Sequence, residues 1–352
     1  MTAADHPTAL YRILDAAANR AAEGLRTLEE YARFVLEDRS LTAEAKSIRH
    51  ELRVALEVIA VEDRWTARAV TSDVGTAVTT DTEMHRDDIR AVVAAAAMRT
   101  EQALRCLEEY SKPLRTPFSA AAESLRYRCY SLAATLLLLD DRRLRLADAR
   151  LYLLIDAGGV AGSDPVAFAD RIARLYRAGV DIIQLRDKAA DDRTLYRLSR
   201  RGAEIARGCG KLFIVNDRAD IAAAAAAQGV HVGQDELPVE AVRRVVGKDV
   251  LIGVSTHSLE QVRAAVADGA DYIGCGPTFP SQTKRFDEYP GLDFLRAVVV
   301  ETSLPGYAIG GIDETNFAAV QATGIHGVAV AQAILGAADP LAAASEFKSR
   351  LG

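Results

Sequence analysis

The chain is poor in the residues that staple, coat or anchor a protein. Its four cysteines, Cys106, Cys129, Cys209 and Cys275, stand far apart with no Cys-x-x-Cys spacing. That speaks against a disulfide framework or a zinc knuckle and leaves buried free thiols as the expectation. There is no basic excess: 43 Lys and Arg face 49 Asp and Glu, for a formal net charge of -6. A protein that coats DNA or RNA is usually basic, so nucleic acid is not an expected partner, although local basic pockets for phosphate remain open. No long hydrophobic run occurs. The most apolar stretch, Leu132–Leu139, falls short of the roughly 20 residues a helix needs to cross a bilayer. Met1–Leu10 contains Asp5 and His6 and lacks a basic start followed by an apolar core. No signal peptide is expected, and the cytoplasm is the expected location.

What is there is ordinary globular material: 352 residues, 49% hydrophobic and 26% charged. At roughly 100–200 residues per domain this suggests two domains or one large one. The two halves follow different grammars. Residues 1–148 are rich in Ala, Leu, Arg and Glu and poor in Gly. Ala16–Leu36, Thr42–Val61, Asp87–Tyr110 and Phe118–Leu139 carry apolar residues at helical spacing, with Pro113 and Pro117 between the last two. Residues 63–86 follow neither period, and Arg64-Trp65 through Val78 read as an ordered loop beside a site.

This half repeats itself. The run from Ala16 to Tyr31 returns from Ala95 to Tyr110, pairing Arg20 with Arg99, Arg26 with Arg105, Glu29 with Glu108 and Tyr31 with Tyr110 at a constant offset of 79. The repeat suggests a duplicated helical unit packed about a pseudo-twofold axis. Arg and Glu at these spacings also make ordinary surface pairs, worth a few tenths of a kcal/mol each. The copies diverge where Asn19, Glu23 and Gly24 become Met98, Gln102 and Ala103. The first copy is therefore the richer in polar groups.

From 149 onward, short Val/Ile/Leu-rich runs alternate with helical ones. The expected strands are Leu151–Ile155, Asp181–Leu185, Leu212–Val215, Val230–Val232, Leu251–Val254, Tyr272–Gly274, Tyr307–Ile309 and Gly327–Val330, each followed by a helical run. That count and order predict an α/β fold, a closed TIM (β/α)8 barrel over residues 149–352, preceded by an all-α domain over 1–148. A doubly wound open sheet is the fallback.

In such a barrel the chemistry sits at the C-terminal ends of the strands. Polar groups collect there after nearly every strand, in three kinds. Arg186, Lys188 and Lys284 are cations suited to phosphate or pyrophosphate. Asp217 and the pair Asp235/Glu236 follow adjacent strands and could share a magnesium ion, which takes oxygen ligands and bridges to substrate phosphates. Gly310-Gly311, with the backbone of Ala331 and Gln332, falls after strands seven and eight, where barrels hold a phosphate monoester on backbone N–H groups. Two phosphate pockets and one magnesium suggest two phosphorylated substrates, one of them bringing a diphosphate leaving group.

At this point the second half resembles the thiamine-phosphate synthase family. The motifs are Gln184-Leu-Arg-Asp-Lys188, Asn216-Asp217, His231-Val-Gly-Gln-Asp-Glu236, Gly253-Val-Ser-Thr-His257, Gly276-Pro-Thr-Phe-Pro-Ser-Gln-Thr-Lys284 and Gly310-Gly-Ile312. The resemblance implies condensation of a pyrimidine diphosphate with a thiazole phosphate to give thiamine phosphate and pyrophosphate. It implies that Gln184, Arg186, Lys188, Asn216 and Lys284 grip the pyrimidine diphosphate, that Asp217 and Glu236 bind magnesium and that Ser255 touches the pyrimidine. Ser281 and Thr283 would contact the thiazole phosphate, cradled by Gly311, Ala331 and Gln332. Three positions depart from the family habit. Asp is frequent where Glu236 stands, which makes Asp235 the rival ligand; Thr is frequent at Ser281, and Ser at Gln332. The thiazole nitrogen carries no proton, so no general base is needed and His257 reads as a structural neighbour.

The first half resembles the helical domain fused ahead of some thiamine-phosphate synthases, through Asn19-Arg20, Glu23-Gly24-Leu-Arg26, Glu29-Glu30-Tyr31, Arg49-His50 and Asp73-Val-Gly75. The implied activity is phosphorylation of hydroxymethylpyrimidine phosphate; ATP is the candidate donor, and the sequence leaves the donor open. No GxxxxGK[ST] loop or kinase Gly-rich loop is present. A site would have to draw on Arg20, Glu23, Arg26, Glu30, Arg49, His50 and Asp73. The rival is a non-catalytic module that dimerises the enzyme or covers the barrel, and a homo-oligomer is compatible with either. For the barrel the rivals are another enzyme of phosphorylated metabolites and a phosphate-ligand sensor. Neither membrane nor nucleic acid is an expected partner.

Overall fold

Apolar residues recur every three or four positions along the first helix, so one stripe is buried: Leu14, Ala17, Ala18, Ala21, Leu25, Leu28 and Ala32. In the computed structural model, which describes residues 6–68, 85–156, 164–280 and 289–352, this helix is α1 (His6–Phe34). It is followed by α2 (Arg39–Ala55), a 3-10 turn (Leu56–Val58), α3 (Val61–Thr66), α4 (Ile89–Ser111) and α5 (Phe118–Ala147). Asp38 and Asp88 cap α2 and α4, accepting from the N–H of Leu41 and Ala91. The same stripe buries Val93, Ala96, Thr100, Leu104 and Leu107 of α4. Gly24 permits the close crossing of the two: a Cβ there would meet the Thr100 side chain at 2.0 Å and the Ala96 carbonyl at 3.0 Å.

The duplication extends past the leading helices. Buried Ala45, Ile48 and Leu52 of α2 find their pattern again in Ala122, Leu125 and Cys129 of α5. Each copy also closes with the same Arg–Glu ion pair on a buried glutamate. Arg49 donates to Glu29 from Nε and Nη2 at 2.9 and 2.8 Å, and Arg126 donates to Glu108 from Nε at 2.8 Å. Both glutamates are buried. A lone buried carboxylate would be costly, so the polar residues matched between copies hold the hairpins together.

Three helical boundaries differ from the sequence expectation. Helix α1 begins ten residues before Ala16, because Leu10 and Leu14 extend the stripe. Helix α5 continues past Leu139 to Ala147. Arg64 and Trp65 lie in α3 rather than in a loop, and residues 69–84 lie outside the described residues. By contacts the chain divides between Asp140 and Asp141, inside α5.

The second unit is a closed parallel barrel in the order β1 to β8. Its strands are β1 (Leu151–Ile155), β2 (Ile182–Leu185), β3 (Leu212–Asn216), β4 (Gly229–Val232), β5 (Leu251–Thr256), β6 (Tyr272–Cys275), β7 (Gly306–Ile309) and β8 (Gly327–Val330). Side chains alternate between two cores, as the period of two requires. Leu153, Ile183, Phe213, Val215, Val230, Ile252, Ile273 and Val328 face outward, in a core completed by the helices. Tyr152, Ile182, Leu212, Ile214, Leu251, Tyr272 and Tyr307 fill the interior. The tyrosines fit because glycines face them: a Cβ on Gly253 would stand 2.1 Å from the Tyr272 ring.

Two carboxylates tie the end where the strands begin. Asp181 is met by Lys211 at 2.6 Å and Lys348 at 2.7 Å, and by the N–H groups of Arg150 and Leu151 at 3.0 Å each. Asp271 is met by Arg142 at 2.6 Å, Arg243 at 2.7 Å and the Ile252 N–H at 2.8 Å. Arg142 comes from the last turns of α5, and so does Leu146, whose carbonyl takes the His326 ring nitrogen at 3.0 Å.

Candidate active site

The opposite end of the barrel gathers most of the predicted residues. The inward parity of each strand carries Gln184 on β2, Asn216 on β3, His231 on β4 and Ser255 on β5 to the mouth. Arg186 follows β2 directly, its N–H bound to the Ile155 carbonyl at 2.8 Å. Asp187 accepts from the N–H groups of Ala189 and Ala190 at 2.8 and 3.0 Å, which shapes the loop that presents Lys188 to solvent.

Asp217 is held in a conformation its residue type rarely takes, with φ 63°. Its N–H reaches the His231 carbonyl at 2.8 Å, and the Arg218 N–H turns back to the Asn216 carbonyl at 2.8 Å. This is a tight turn with its side chain aimed by the backbone, a strain of about 1–3 kcal/mol that clusters at functional sites. Burial, and then the charge of Glu236, hold the Asp217 carboxyl above its ordinary range, while Lys188, Arg186 and the Asn216 amide pull it down. Glu236 folds back over Gly233, where a Cβ would meet its Oε2 at 2.4 Å. Glu236, not Asp235, is therefore the carboxylate that acts on Asp217.

Past β7, Gly310 and Gly311 take φ of 99° and 62°, the left-handed region that glycine alone enters freely. They lie beneath Pro277–Pro280: the N–H groups of Thr278 and Phe279 bind the carbonyls of Ile309 and Gly310 at 2.8 and 3.0 Å. After β8, Ala331 leads into a short helix, Gln332–Leu335, that the sequence reading did not anticipate. A short extra helix after the eighth strand is a recurrent feature of barrel phosphate sites. Ser281, Thr283 and Lys284 lie outside the described residues. His257 turns Nδ1 to the Gly276 carbonyl.

The interior beneath the mouth holds a polar chain that sequence reasoning missed. Gln184 Nε2 donates to Tyr152 Oη at 2.8 Å. Tyr152 Oη lies 3.1 Å from Tyr272 Oη, Tyr272 Oη lies 3.3 Å from His231 Nδ1, and His231 Nε2 lies 2.9 Å from Ser255 Oγ. Burial brings the His231 imidazole down to about 4, so it is neutral at physiological pH. Strand parity was the available signal, since Tyr152, His231 and Tyr272 share the inward phase of Gln184 and Ser255. Two clefts of about 300 and 450 Å³ open elsewhere, where the strands begin, lined in part by His326 and by Lys211. Neither carries a predicted site residue.

In the helical unit the predicted residues lie mostly on the surface. Arg20, Glu23, Arg26, Glu30 and His50 are exposed. Arg26 pairs with Glu30 at 2.9 Å, and Glu23 meets Arg99 at 4.0 Å. Arg20 and His50 form no ion pair with another described residue, and Asp73 lies outside the described residues. A cluster absent from the prediction stands on α1: buried Asp15 takes Arg68 Nε at 2.5 Å and Nη2 at 3.0 Å, with Asn19 at 3.3 Å. Arg68 belongs to neither repeat copy, which hid it from a search by repetition.

Fold and site together define a (β/α)8-barrel enzyme with its polar groups at the strand ends. Residues 151–334 match the family described as thiamine monophosphate synthase, and residues 12–135 match the ThiD2 family. A thiamine-phosphate synthase of Rhodopirellula baltica is 52% identical over 95% of this chain and 90% of its own. One from Thermosynechococcus vestitus is 40% identical over 97% and 95%. A solved structure, thiamine phosphate pyrophosphorylase from Pyrococcus furiosus, superimposes with a TM-score of 0.52 at 32% identity, covering 59% of this chain and 97% of that one. The chain belongs to the thiamine-phosphate synthase family, whose members are transferases of thiamine biosynthesis.

Proposed function

We propose that the barrel, residues 149–352, joins a pyrimidine carried as its methyl diphosphate to a thiazole phosphate, releasing pyrophosphate. The observation that carries the reading is the juxtaposition at the mouth: Asp217 senses Glu236 as a like charge and Arg186 and Lys188 as opposite ones. Two repelling carboxylates beside two cations suit a cation–diphosphate complex. All donors are oxygens, the set magnesium prefers. A magnesium ion held by Asp217 and Glu236 would neutralise charge on the departing pyrophosphate.

The chain's own residues do the rest. Arg186, Lys188 and Lys284 bind the diphosphate and take up charge as the bond from its oxygen to the methylene breaks. Asn216, whose amide lowers the Asp217 carboxyl, orients the same group. Gln184 and Ser255 hold the pyrimidine ring, whose amino group spreads the positive charge left on the methylene. The backbone of Gly311, Ala331 and Gln332, with Ser281 and Thr283, holds the thiazole phosphate so that its nitrogen faces that carbon. The new carbon–nitrogen bond forms without a proton to remove, so His257 has no catalytic part.

The helical domain, residues 1–148, supplies the diphosphate by phosphorylating hydroxymethylpyrimidine phosphate with ATP. Arg20, Arg26 and His50 would serve the phosphates, with Glu23, Glu30 and Asp73 toward the metal and the substrate hydroxyl. A non-catalytic module is the second reading, favoured by the packing role of the matched Glu–Arg pairs. The reading sets the enzyme in the cytoplasm among small phosphorylated molecules.

One assay of the full chain tests both domains. One tube holds the pyrimidine monophosphate, ATP, thiazole phosphate and magnesium; a second replaces monophosphate and ATP by the diphosphate. Product in both tubes is expected. Product only from the diphosphate leaves the helical domain as a module, and product in neither removes the barrel reading.

A further inference from the structure

The interior chain of hydroxyls beneath the mouth has a direction. Each phenol owns one proton. The Gln184 amide donates to Tyr152 Oη at 2.8 Å, so the Tyr152 proton turns to Tyr272 Oη at 3.1 Å. The Tyr272 proton then turns to His231 Nδ1 at 3.3 Å. A neutral imidazole that accepts at Nδ1 carries its proton on Nε2. That proton goes to Ser255 Oγ at 2.9 Å. The serine oxygen accepts, and its own proton is left over. At the other end, Gln184 has spent one N–H and keeps the other together with its carbonyl oxygen.

We infer that Tyr152, Tyr272 and His231 form a proton-ordered relay that commits one lone pair of Ser255 Oγ and one N–H of Gln184, leaves the serine proton and the amide carbonyl oxygen to face the ligand ring, and so favours an aminopyrimidine over its oxo counterpart. An aminopyrimidine presents an N–H on its exocyclic nitrogen and a lone pair on the adjacent ring nitrogen. An oxo-pyrimidine presents the reverse, a carbonyl oxygen and a ring N–H. To meet it, Ser255 would have to accept through its second lone pair and Gln184 to donate through its second N–H, which leaves the Ser255 proton and the Gln184 carbonyl oxygen without partners on the ring. Tyr152 and Tyr272 are buried in the barrel interior, where an unmatched polar group costs far more than in water. The three residues are positioning residues: none donates to the ligand itself. The inference rests on the proposed reading that the mouth takes a pyrimidine diphosphate.

Two measurements on the full-length protein test it. The first is the histidine side-chain 15N spectrum of the ligand-free enzyme, with His231 assigned by His231→Gln. The expected result is the Nε2–H tautomer, moving toward a mixture in Tyr272→Phe. An Nδ1–H tautomer in the unmodified protein would overturn the relay whatever the substrate. The second is kcat/KM for the aminopyrimidine diphosphate against its 4-oxo analogue, each with thiazole phosphate. The unmodified enzyme should prefer the amino form by about a hundredfold or more, as a site built on donors and acceptors does. Tyr272→Phe should cut that preference about tenfold, mostly through KM, and Ser255→Ala should leave Tyr272→Phe nothing further to remove. Equal losses on both substrates would overturn the relay and leave Tyr272 a packing residue. No turnover of the aminopyrimidine diphosphate by the unmodified enzyme would instead overturn the functional reading, and the tautomer result would still stand on its own.

Discussion

The two ends of the barrel use the same residue types to opposite purpose. Where the strands begin, Asp181 and Asp271 each sit between two cations and backbone N–H groups. Burial pushes the Asp181 carboxyl up, but Lys211, Lys348 and the Leu151 N–H outweigh it and hold it below its ordinary value. Where the strands end, Asp217 is raised by burial and by Glu236, and its backbone is strained. Charge is satisfied within the chain at one end and left in repulsion at the other, where the proposed reading puts a ligand. A carboxylate's surroundings, not its presence, separate a structural role from a functional one.

Four experiments would break or sharpen that contrast. The largest effect is expected from Asp271→Ala, which strands Arg142 and Arg243: a loss of about 3–5 kcal/mol in urea unfolding, with the catalytic constants of the folded fraction unchanged. Next is Asp217→Asn. Asparagine tolerates the left-handed conformation, so the fold should hold while synthase kcat falls about a hundredfold, equivalent to about 2.7 kcal/mol. Third, acid should separate the ends. Because the folded Asp181 carboxyl titrates below its unfolded value, its contribution is complete above about pH 4 and lost as pH falls through the lower folded value. Asp217 has the opposite sign: its folded value is raised, so protonation relieves the mouth and adds stability as pH falls. Melting curves from about pH 2 to 6 should show the acid loss removed in Asp181→Asn and kept in Asp217→Asn. The smallest effect concerns the disputed neighbours. Glu236→Gln should raise the metal-free melting temperature by about 1 °C and abolish magnesium-dependent stabilisation, whereas Asp235→Asn should change neither.

The sequence was most legible where geometry has a rule. Strands β1 and β8 match their expected limits, and the other six differ by one or two residues at an end, because the period of two and the strand–helix alternation leave little freedom. The same rule located Gln184, Asn216, Asp217 and Ser255, since strand ends are sites by topology. It could not choose between Asp235 and Glu236, because loop folding over Gly233 has no period. The tyrosine–histidine chain escaped because each member looked like core. In the helical half a period of 3.6 named the buried face and could not single out a site. Repetition pointed to Glu29 and Glu108, which bind Arg49 and Arg126 across the hairpins. Asp15, which has no repeated counterpart, went unnoticed, and Arg68 falls only within the stretch Arg64–Val78 as a whole. From its spacing the fourth helical run stops at Leu139, yet α5 runs on to Ala147 and Arg142 there reaches Asp271.

The contrast between the two ends rests most directly on the unfolding free energy of Asp217→Asn in urea, without metal or substrate. The predicted value equals or exceeds that of the unmodified protein, because the substitution removes a repulsion and keeps the backbone turn. A loss of more than about 1 kcal/mol, beyond what a substitution away from structural contacts costs, would mean that Asp217 supports the fold, and the division between the ends would fail.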